Sequence, residues 1–339
     1  MKKTNVRLPR LEDVAAYAGV SHQTVSRVIN NHPHVSKGTL EKVEIAISEL
    51  GYRRNTAARN LVTRRSHTIG VLGTELSQYG PANTLLGVEQ AARDAGYFVN
   101  IASLRTVSRK AMLDALQHFM NQAVEGIAVL VPHTETLHVL EEFNAGVPIV
   151  AVGTLGNASI SGAMVDQMRG AELAVAHLIE HGHRRIGHVA GPADWTDGDL
   201  RTRGWRRALQ EAGLQDDVLL EGDWSAGSGY EIGCWFALHR PATALFVAND
   251  QMALGILRAL NEAGVRVPED VSVMGFDDQP ESAFFSPPLA TVRQDFEELG
   301  RRCVDIVLKE IETGAPVSST VVPPRVISRA STSRVAENP

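Results

Sequence analysis

From residue 68 onward the chain alternates short, β-branched apolar runs with longer amphipathic stretches, an order that few folds accommodate. The runs are Ile69–Leu72, Val99–Ala102, Ile127–Val131, Pro148–Val152, Ala163–Val165, Ile186–Ala190, Ala244–Ala248 and Val271–Phe276. Between them Leu85–Ala95, Gly170–His181, Leu200–Ala212 and Met252–Ala263 carry helical periodicity. Gly96, Gly182, Gly213 and Gly264 stand where a helix closes in the left-handed conformation. Strand–helix alternation predicts α/β architecture with doubly wound parallel sheets. About nine or ten strands are too many for one comfortable open sheet of this size, so two lobes are expected. The polar stretch from Ser328 reads as a frayed tail.

The first sixty-five residues have a different texture and predict an all-α head. Leu11, Val14, Ala15 and Ala18 recur at helical spacing, and Gly19 breaks that helix. Ser21 is a good N-cap for a second helix near His22–Asn30, which buries Val25 and either Val28 or Ile29. After Asn31-His32-Pro33-His34, Ser36 caps a third helix reaching Leu50, with Leu40, Val43, Ile47 and Leu50 on one face. Residues 1–65 hold twelve Lys and Arg against five Asp and Glu, a balance of +7, within a chain of net charge −6. The remainder therefore carries −13. A basic head on an acidic body suggests that the head meets a polyanion. Helix, tight turn, helix is also the order in which a second helix enters the major groove. That helix offers His22, Gln23, Thr24, Ser26, Arg27 and Asn30. Gln can pair with adenine and Arg with guanine in bidentate fashion. A three-helix interaction module with a solvated polar face is the alternative.

In parallel α/β sheets, ligands sit beyond the carboxyl ends of the strands. There, Ala244–Ala248 runs into Asn249-Asp250 and Val271–Phe276 into Asp277-Asp278. Ile186–Ala190 leads through Gly191-Pro192 to Asp194-Trp195-Thr196-Asp197 and then Arg201. Carboxylates, amides and a guanidinium can match sugar hydroxyls, and the faces of Trp224 and Phe296 can pack on the apolar side of a sugar ring. Taken singly, an Asp at a strand end is also a helix cap and Trp224 also a core residue, so the combination carries the reading.

An enzyme would have to use Asp250, Asp277 and Asp278 as acid and base and His181, His183 and His188 as proton carriers. No dinucleotide fingerprint follows a strand, and there is no P-loop, nucleophile elbow or metal-ligand spacing. No catalytic residue, metal or cofactor is therefore expected, and His181-Gly182-His183 reads as a polar surface turn. Cys234 and Cys303 lie in no ligand spacing and read as buried small hydrophobes in a reducing compartment. The basic N-terminus has no apolar stretch of a signal peptide, and no run approaches the ~18 apolar residues of a membrane span. A cytoplasmic protein without a membrane partner is expected, which argues against a periplasmic sugar-binding protein.

The contiguous segment Leu11–Asn30, LEDVAAYAGVSHQTVSRVIN, resembles the DNA-binding signature of the LacI/GalR family of transcriptional regulators. Val35-Ser36, Glu41-Lys42-Val43, Leu50-Gly51-Tyr52 and Asn55 continue the likeness in register. In the body it is strongest at Glu221–Ala226, Val247–Gly255 and Gln294-Asp295-Phe296. The resemblance implies a helix-turn-helix domain at 1–54 and a hinge helix and linker at 55–66. It implies a periplasmic-binding-protein-like pair of lobes joined by three crossovers. The N-terminal lobe would comprise 67–165 and 296–323, the C-terminal lobe 166–295 and 324–332. By the same resemblance His22, Gln23 and Arg27 choose the operator, and Ser21, Thr24, Ser26, His34, Thr39 and Asn55 hold its backbone. Asn30 and Tyr52 complete the interface, and Leu61 wedges into the minor groove, where Arg59, Arg64 and Arg65 meet phosphates. Arg201, Trp224, Asn249, Asp277 and Phe296 match effector-contacting positions, which Thr74, Asp197 and Gln294 extend. A homodimeric repressor on a pseudo-palindromic operator, answering to a sugar or glycoside, is what such a chain implies.

Four departures from a well-known member bear on specificity. His22 stands where it has Tyr, Arg10 where it has a capping Thr, Gly153 where it has a sugar-contacting Asp, and Asp197 where it has Ser. A galactoside, a different sugar or a larger glycoside all remain open, as does the sign of control. The last residues, Ser331 to Pro339, lack the leucine heptads of tetrameric members, so a dimer is expected.

Overall fold

The structure is a computed structural model that describes residues 9–30, 32–52, 65–104, 108–130, 136–143, 145–157 and 159–335. It divides into two compact units, residues 1–66 and 67–339.

The first unit holds three helices: α1 (Leu11–Ala18), α2 (His22–Ile29) and α3 (Lys37–Leu50). Ser21 and Ser36 cap α2 and α3 by accepting the backbone N–H of Thr24 at 3.1 Å and of Thr39 at 3.3 Å. At α1 the cap works from the other side: Arg10 has no capping oxygen, and Asp13 instead accepts the Arg10 N–H at 2.7 Å. Gly19 and Gly51 close α1 and α3 with φ of +64° and +59°. Val14, Val25, Val28, Val43 and Ala46 form the core. Val28, rather than Ile29, is the buried one of that pair. Leu40 departs from expectation: it is exposed, and Ala46 lies at the centre of the α3 face instead.

The second unit holds two lobes. In the first lobe, β1 (Thr68–Thr74), β2 (Phe98–Leu104), β3 (Gly126–Leu130), β4 (Ile149–Val152), β5 (Ser161–Val165) and β11 (Thr320–Val322) form a parallel sheet. Their order is β11-β5-β4-β3-β1-β2. Alternation along the strands sends Ile69, Val71, Ala128, Leu130, Val150 and Val152 to one face. There they meet α4 (Tyr79–Asp94) and α11 (Phe296–Thr313). Leu72, Ile127, Val129 and Ala151 face α5 (Arg109–Asn121) and α6 (Thr136–Glu142) on the other side. α4 and α11 touch backbone to backbone, since a Cβ on Gly300 would fall 2.1 Å from the Gly87 carbonyl carbon.

The second lobe is built on β7 (Leu219–Glu221), β6 (Ile186–Ala190), β8 (Ala244–Val247) and β9 (Ser272–Met274), parallel and in that order. The ladder extends beyond β9, because Asp277 N–H donates to the Val292 carbonyl at 2.8 Å in β10 (Thr291–Arg293). β12 (Arg325–Ile327) then pairs antiparallel with β10. Helices α7 (Gln167–Glu180) and α8 (Thr196–Glu211) cover one face around Trp205 and Phe276. Helices α9 (Ala226–His239) and α10 (Asp250–Glu262) cover the other around Phe236 and Met252. The chain passes between lobes three times: from β5 to α7, from β10 to α11 and from β11 to β12.

Three expectations about side chains are corrected here. Cys303 is buried but Cys234 is exposed. His183 is a buried clamp and not a surface residue. It bonds Thr243 and Ser272 hydroxyls at 3.0 Å and faces the Ser333 carbonyl at 3.2 Å. The polar tail is not frayed over its described part. Fully buried Ser331 donates to the Val273 carbonyl at 2.6 Å and accepts the Ala290 N–H at 2.7 Å. Polarity misled both readings, because these hydroxyls and imidazoles satisfy the ends of the second sheet from within.

Candidate functional site

On α2, Val25 and Val28 point into the core, which turns the opposite side of the helix outward. At about 100° per residue, His22, Ser26, Asn30, Gln23 and Arg27 fall within one arc of about 140°. His22, Gln23, Arg27 and Asn30 are exposed, while Thr24 and Ser26 are half-buried. Asn30 folds back, donating to the Ser26 carbonyl at 2.8 Å, and so closes the helix. Ser21 and Thr24 share a hydroxyl contact of 2.8 Å at the helix start. His34 is exposed beside His32, and Thr39 and Tyr52 are half-buried around α3. This is a polar surface with two flexible donors, Gln23 and Arg27, and no acidic residue within α2. Asn55, Arg59, Leu61 and Arg64 lie outside the described residues.

In the second unit, the carboxyl ends of both sheets face a cleft between the lobes. It has two adjoining chambers that share Gly80, Pro81, Trp195 and Asp197. The smaller chamber is lined by Arg201, Trp224, Asn249 and Asp277. The larger is lined by Gln167, Gln294 and Phe296, together with Leu130, Val152, Gly153, Val165 and Leu299. Of the eight residues matched to effector-contacting positions, Thr74 alone does not line either chamber. It ends β1 fully buried, with its hydroxyl unpartnered.

One buried network holds the polar wall. Arg201 donates to the Ala248 carbonyl at 2.5 Å and to Gln167 at 2.9 Å. Gln167 donates to Gln294 at 2.8 Å, and Gln294 to Asp277 at 2.7 Å. The guanidinium lies 3.9 Å from Asp277 and 3.8 Å from Asp197, and 4.0 Å over the Phe276 ring. Burial pushes the Asp277 carboxyl up to about 7, against the pull of Arg201. Asp197 is raised by burial too. Asp277 and Trp224 sit at φ of +114° and +72°, strained for side-chain-bearing residues and typical of ligand clamps. Trp224 packs edge-on to Trp195 with ring centroids 5.5 Å apart, and its buried indole N–H has no partner among the described residues. Asn249 caps α10 through Met252 N–H and donates to the Trp224 carbonyl at 3.0 Å.

Asp250 and Asp278 are structural rather than catalytic. Asp250 accepts from Gln279 N–H, Ser282 and Thr291 at 2.6–2.9 Å. Asp278 is held by Arg293 and Arg329. His188, stacked on Phe246, donates to that residue's carbonyl and is held neutral by burial. Among the described residues no group of His, Cys, Asp and Glu could hold a metal ion. Nor is any helix long and apolar enough to cross a membrane.

The opening turn of α4, which carries Tyr79, Gly80, Pro81 and Thr84 to the cleft, escaped the sequence reading, which began that helix at Leu85. Pro81 was the available signal, since proline is tolerated in a first helical turn.

Residues 10–55 match the family described as bacterial regulatory proteins, lacI family, and residues 175–332 match a periplasmic binding protein-like domain. The lactose operon repressor of Escherichia coli K12 is 36% identical over 324 residues, covering 95% of this chain and 90% of its own. The regulator CelR of Thermobifida fusca is 39% identical over 328 residues, covering 92% and 95%. Among solved structures, the lac repressor dimer bound to operator and the anti-inducer ONPF superposes with a TM-score of 0.88. That match has 35% identity over 96% of this chain and all of the other. The CelR–cellobiose complex superposes with a TM-score of 0.70 at 35% identity, over 95% and 99%. The chain belongs to the lacI family of bacterial regulatory proteins and is a transcriptional regulator rather than an enzyme.

Proposed function

We propose that this chain is a cytoplasmic, homodimeric repressor whose affinity for a pseudo-palindromic operator is set by a neutral sugar or glycoside bound between the lobes. His22, Gln23 and Arg27 read base edges, and Ser21, Thr24, Ser26, Asn30, His34, Thr39 and Tyr52 position the backbone. Residues 55–66 join this head to the body, with Asn55 and Leu61 completing the DNA contact. Arg201, Asp277, Asn249 and Gln294 take sugar hydroxyls, Trp224 and Phe296 take the ring faces, and Asp197 bridges the two chambers. The observation that carries the ligand reading is the Arg201–Gln167–Gln294–Asp277 network with the unpartnered Trp224 N–H beside it. A buried donor without a partner is costly, and a ligand oxygen would satisfy it. Two relatives support the sugar class, one bound to cellobiose and one to ONPG. Ligand and operator then act on one lobe equilibrium, so each weakens or strengthens the other by the same factor.

A mobility-shift assay on DNA flanking the protein's own gene, with a panel of mono- and disaccharides, tests this. A sequence-specific complex whose stability one neutral sugar changes is expected. A complex that answers to no sugar, or shows no sequence preference, refutes the reading.

A further inference from the structure

The chain enters its second unit at His67, and that entry point is gripped. His67 adopts φ of +48°, a left-handed conformation that His tolerates better than most side chains. Its backbone N–H donates to Glu125 Oε1 at 2.7 Å. The other carboxylate oxygen accepts the Tyr97 hydroxyl at 3.2 Å, and the Tyr97 and His67 rings pack with centroids 5.3 Å apart. Backbone bonds tie the same residues again: Phe98 N–H to the His67 carbonyl and Glu125 N–H to the Thr68 carbonyl, each at 2.8 Å. His67, Tyr97 and Glu125 stand directly ahead of β1, β2 and β3, which are neighbours in the first sheet. One carboxylate therefore gathers the starts of three adjacent parallel strands.

The other end of β3 is Leu130, which lines the cleft. At about 3.3 Å per residue, this short strand spans roughly 17 Å from the anchor to the cleft wall. We infer that Glu125 is a positioning residue for allostery, tying the chain's point of entry to the strand that ends in the cleft. A ligand-dependent shift of the first lobe then carries the residues leading to His67 with it. Without the carboxylate, the left-handed turn loses its acceptor and the strand start loosens, so the shift dissipates in slack. This inference rests on the ligand-responsive DNA regulator proposed above.

The test needs neither the natural operator nor the natural ligand. The probe is a palindromic duplex enriched from random sequence by the full-length wild-type protein. The readout is acrylamide quenching of Trp195 and Trp224 in the cleft, measured in a Trp235→Phe background that removes the exposed indole and leaves the fully buried Trp205 as a constant contribution. By reciprocity, duplex binding changes cleft quenching in the wild type. Glu125→Ala binds the duplex within about threefold of wild type yet loses most of that quenching response. Glu125→Gln keeps an oxygen acceptor for the His67 N–H and retains the response. Tyr97→Phe deletes only one hydroxyl, folds, and gives an intermediate response, which decides the matter if Glu125→Ala does not fold. A wild-type response in both Glu125→Ala and Tyr97→Phe overturns the inference, as does duplex binding by the wild type with no change in quenching. Failure of the wild type to enrich any duplex overturns the regulator reading itself, and this inference with it.

Discussion

The two lobes of the second unit share one plan, a parallel sheet between helical layers, but the charged side chains that line the cleft all come from the second. The second lobe contributes Arg201, Asp197, Asn249, Asp277 and Gln294. The first contributes Gly80, Pro81, Leu130, Val152, Gly153, Phe296 and Leu299, and at the start of α4 the uncharged Gln78, Tyr79 and Thr84. Their strand ends explain the contrast. Strands β8 and β9 lead to Asn249 and Asp277, whose side chains are tethered by hydrogen bonds. Strands β3 and β4 end in aliphatic residues and a glycine. The difference teaches a division of labour. The charged and amide groups of the cleft come mainly from the second lobe, whereas the first offers mostly aliphatic, aromatic and glycine surface, with Gln78, Tyr79 and Thr84 at the start of α4 as its polar groups.

The sharpest way to break this contrast is Arg201→Met. It strands Asp277 and Asp197 without their cation, and breaking a buried pair costs about 3–5 kcal/mol. Urea unfolding should show that loss together with lost sugar binding, and a change below about 1 kcal/mol would refute the network's role. Next comes Asp277→Asn. The native carboxyl titrates near 7, above its ordinary value of 3.8, so the folded state holds the proton more tightly. Its stabilising contribution is fully present below about pH 4 and is lost as pH rises through 7. Between pH 5 and 7.5 the wild type should lose about 2–3 kcal/mol from this group. Asp277→Asn should flatten that slope in urea titrations. Asp250, raised by burial to about 6, leaves a smaller residual slope of the same sign.

The first lobe should respond to shape instead of charge. Gly300→Ala places a methyl against the Gly87 backbone and should destabilise by about 1–3 kcal/mol through overpacking. Its pH profile should match wild type, and a pH-dependent loss would contradict the contrast. Smallest is Gly153→Ala. Nothing lies within 4 Å of the added Cβ, yet φ is +92°. The left-handed strain should cost about 1–2 kcal/mol, with sugar affinity measured by calorimetry nearly unchanged.

Much of this was legible in the sequence. Ser21, Ser36, Gly19 and Gly51 announced the head because caps and left-handed stops act within a few residues. The cleft's Asn249, Asp277 and Arg201 were legible because long, periodic elements place them at strand ends. What escaped reading depends on distant partners. Strands β7, β10, β11 and β12 span three residues each, too short for a period to show. The roles of His183 and Ser331 are set by residues forty to ninety positions away. Thr74 ends the right strand but is buried outside the lining, a distinction that depends on how the lobe packs.

The three passages between lobes also dictate an order of events at the ribosome. β1 to β5 emerge first, but Leu299, Cys303, Val304 and Val307 of α11, which seal one face of their sheet, are made only after β6 to β10. Until then Val88, Val150 and Val152 lack their cover, and a nascent chain of some three hundred residues carries an open apolar flank. Neither lobe can be produced alone by cutting the gene at a single point. The half-made first lobe is where translational pausing or a chaperone would have the greatest influence on yield.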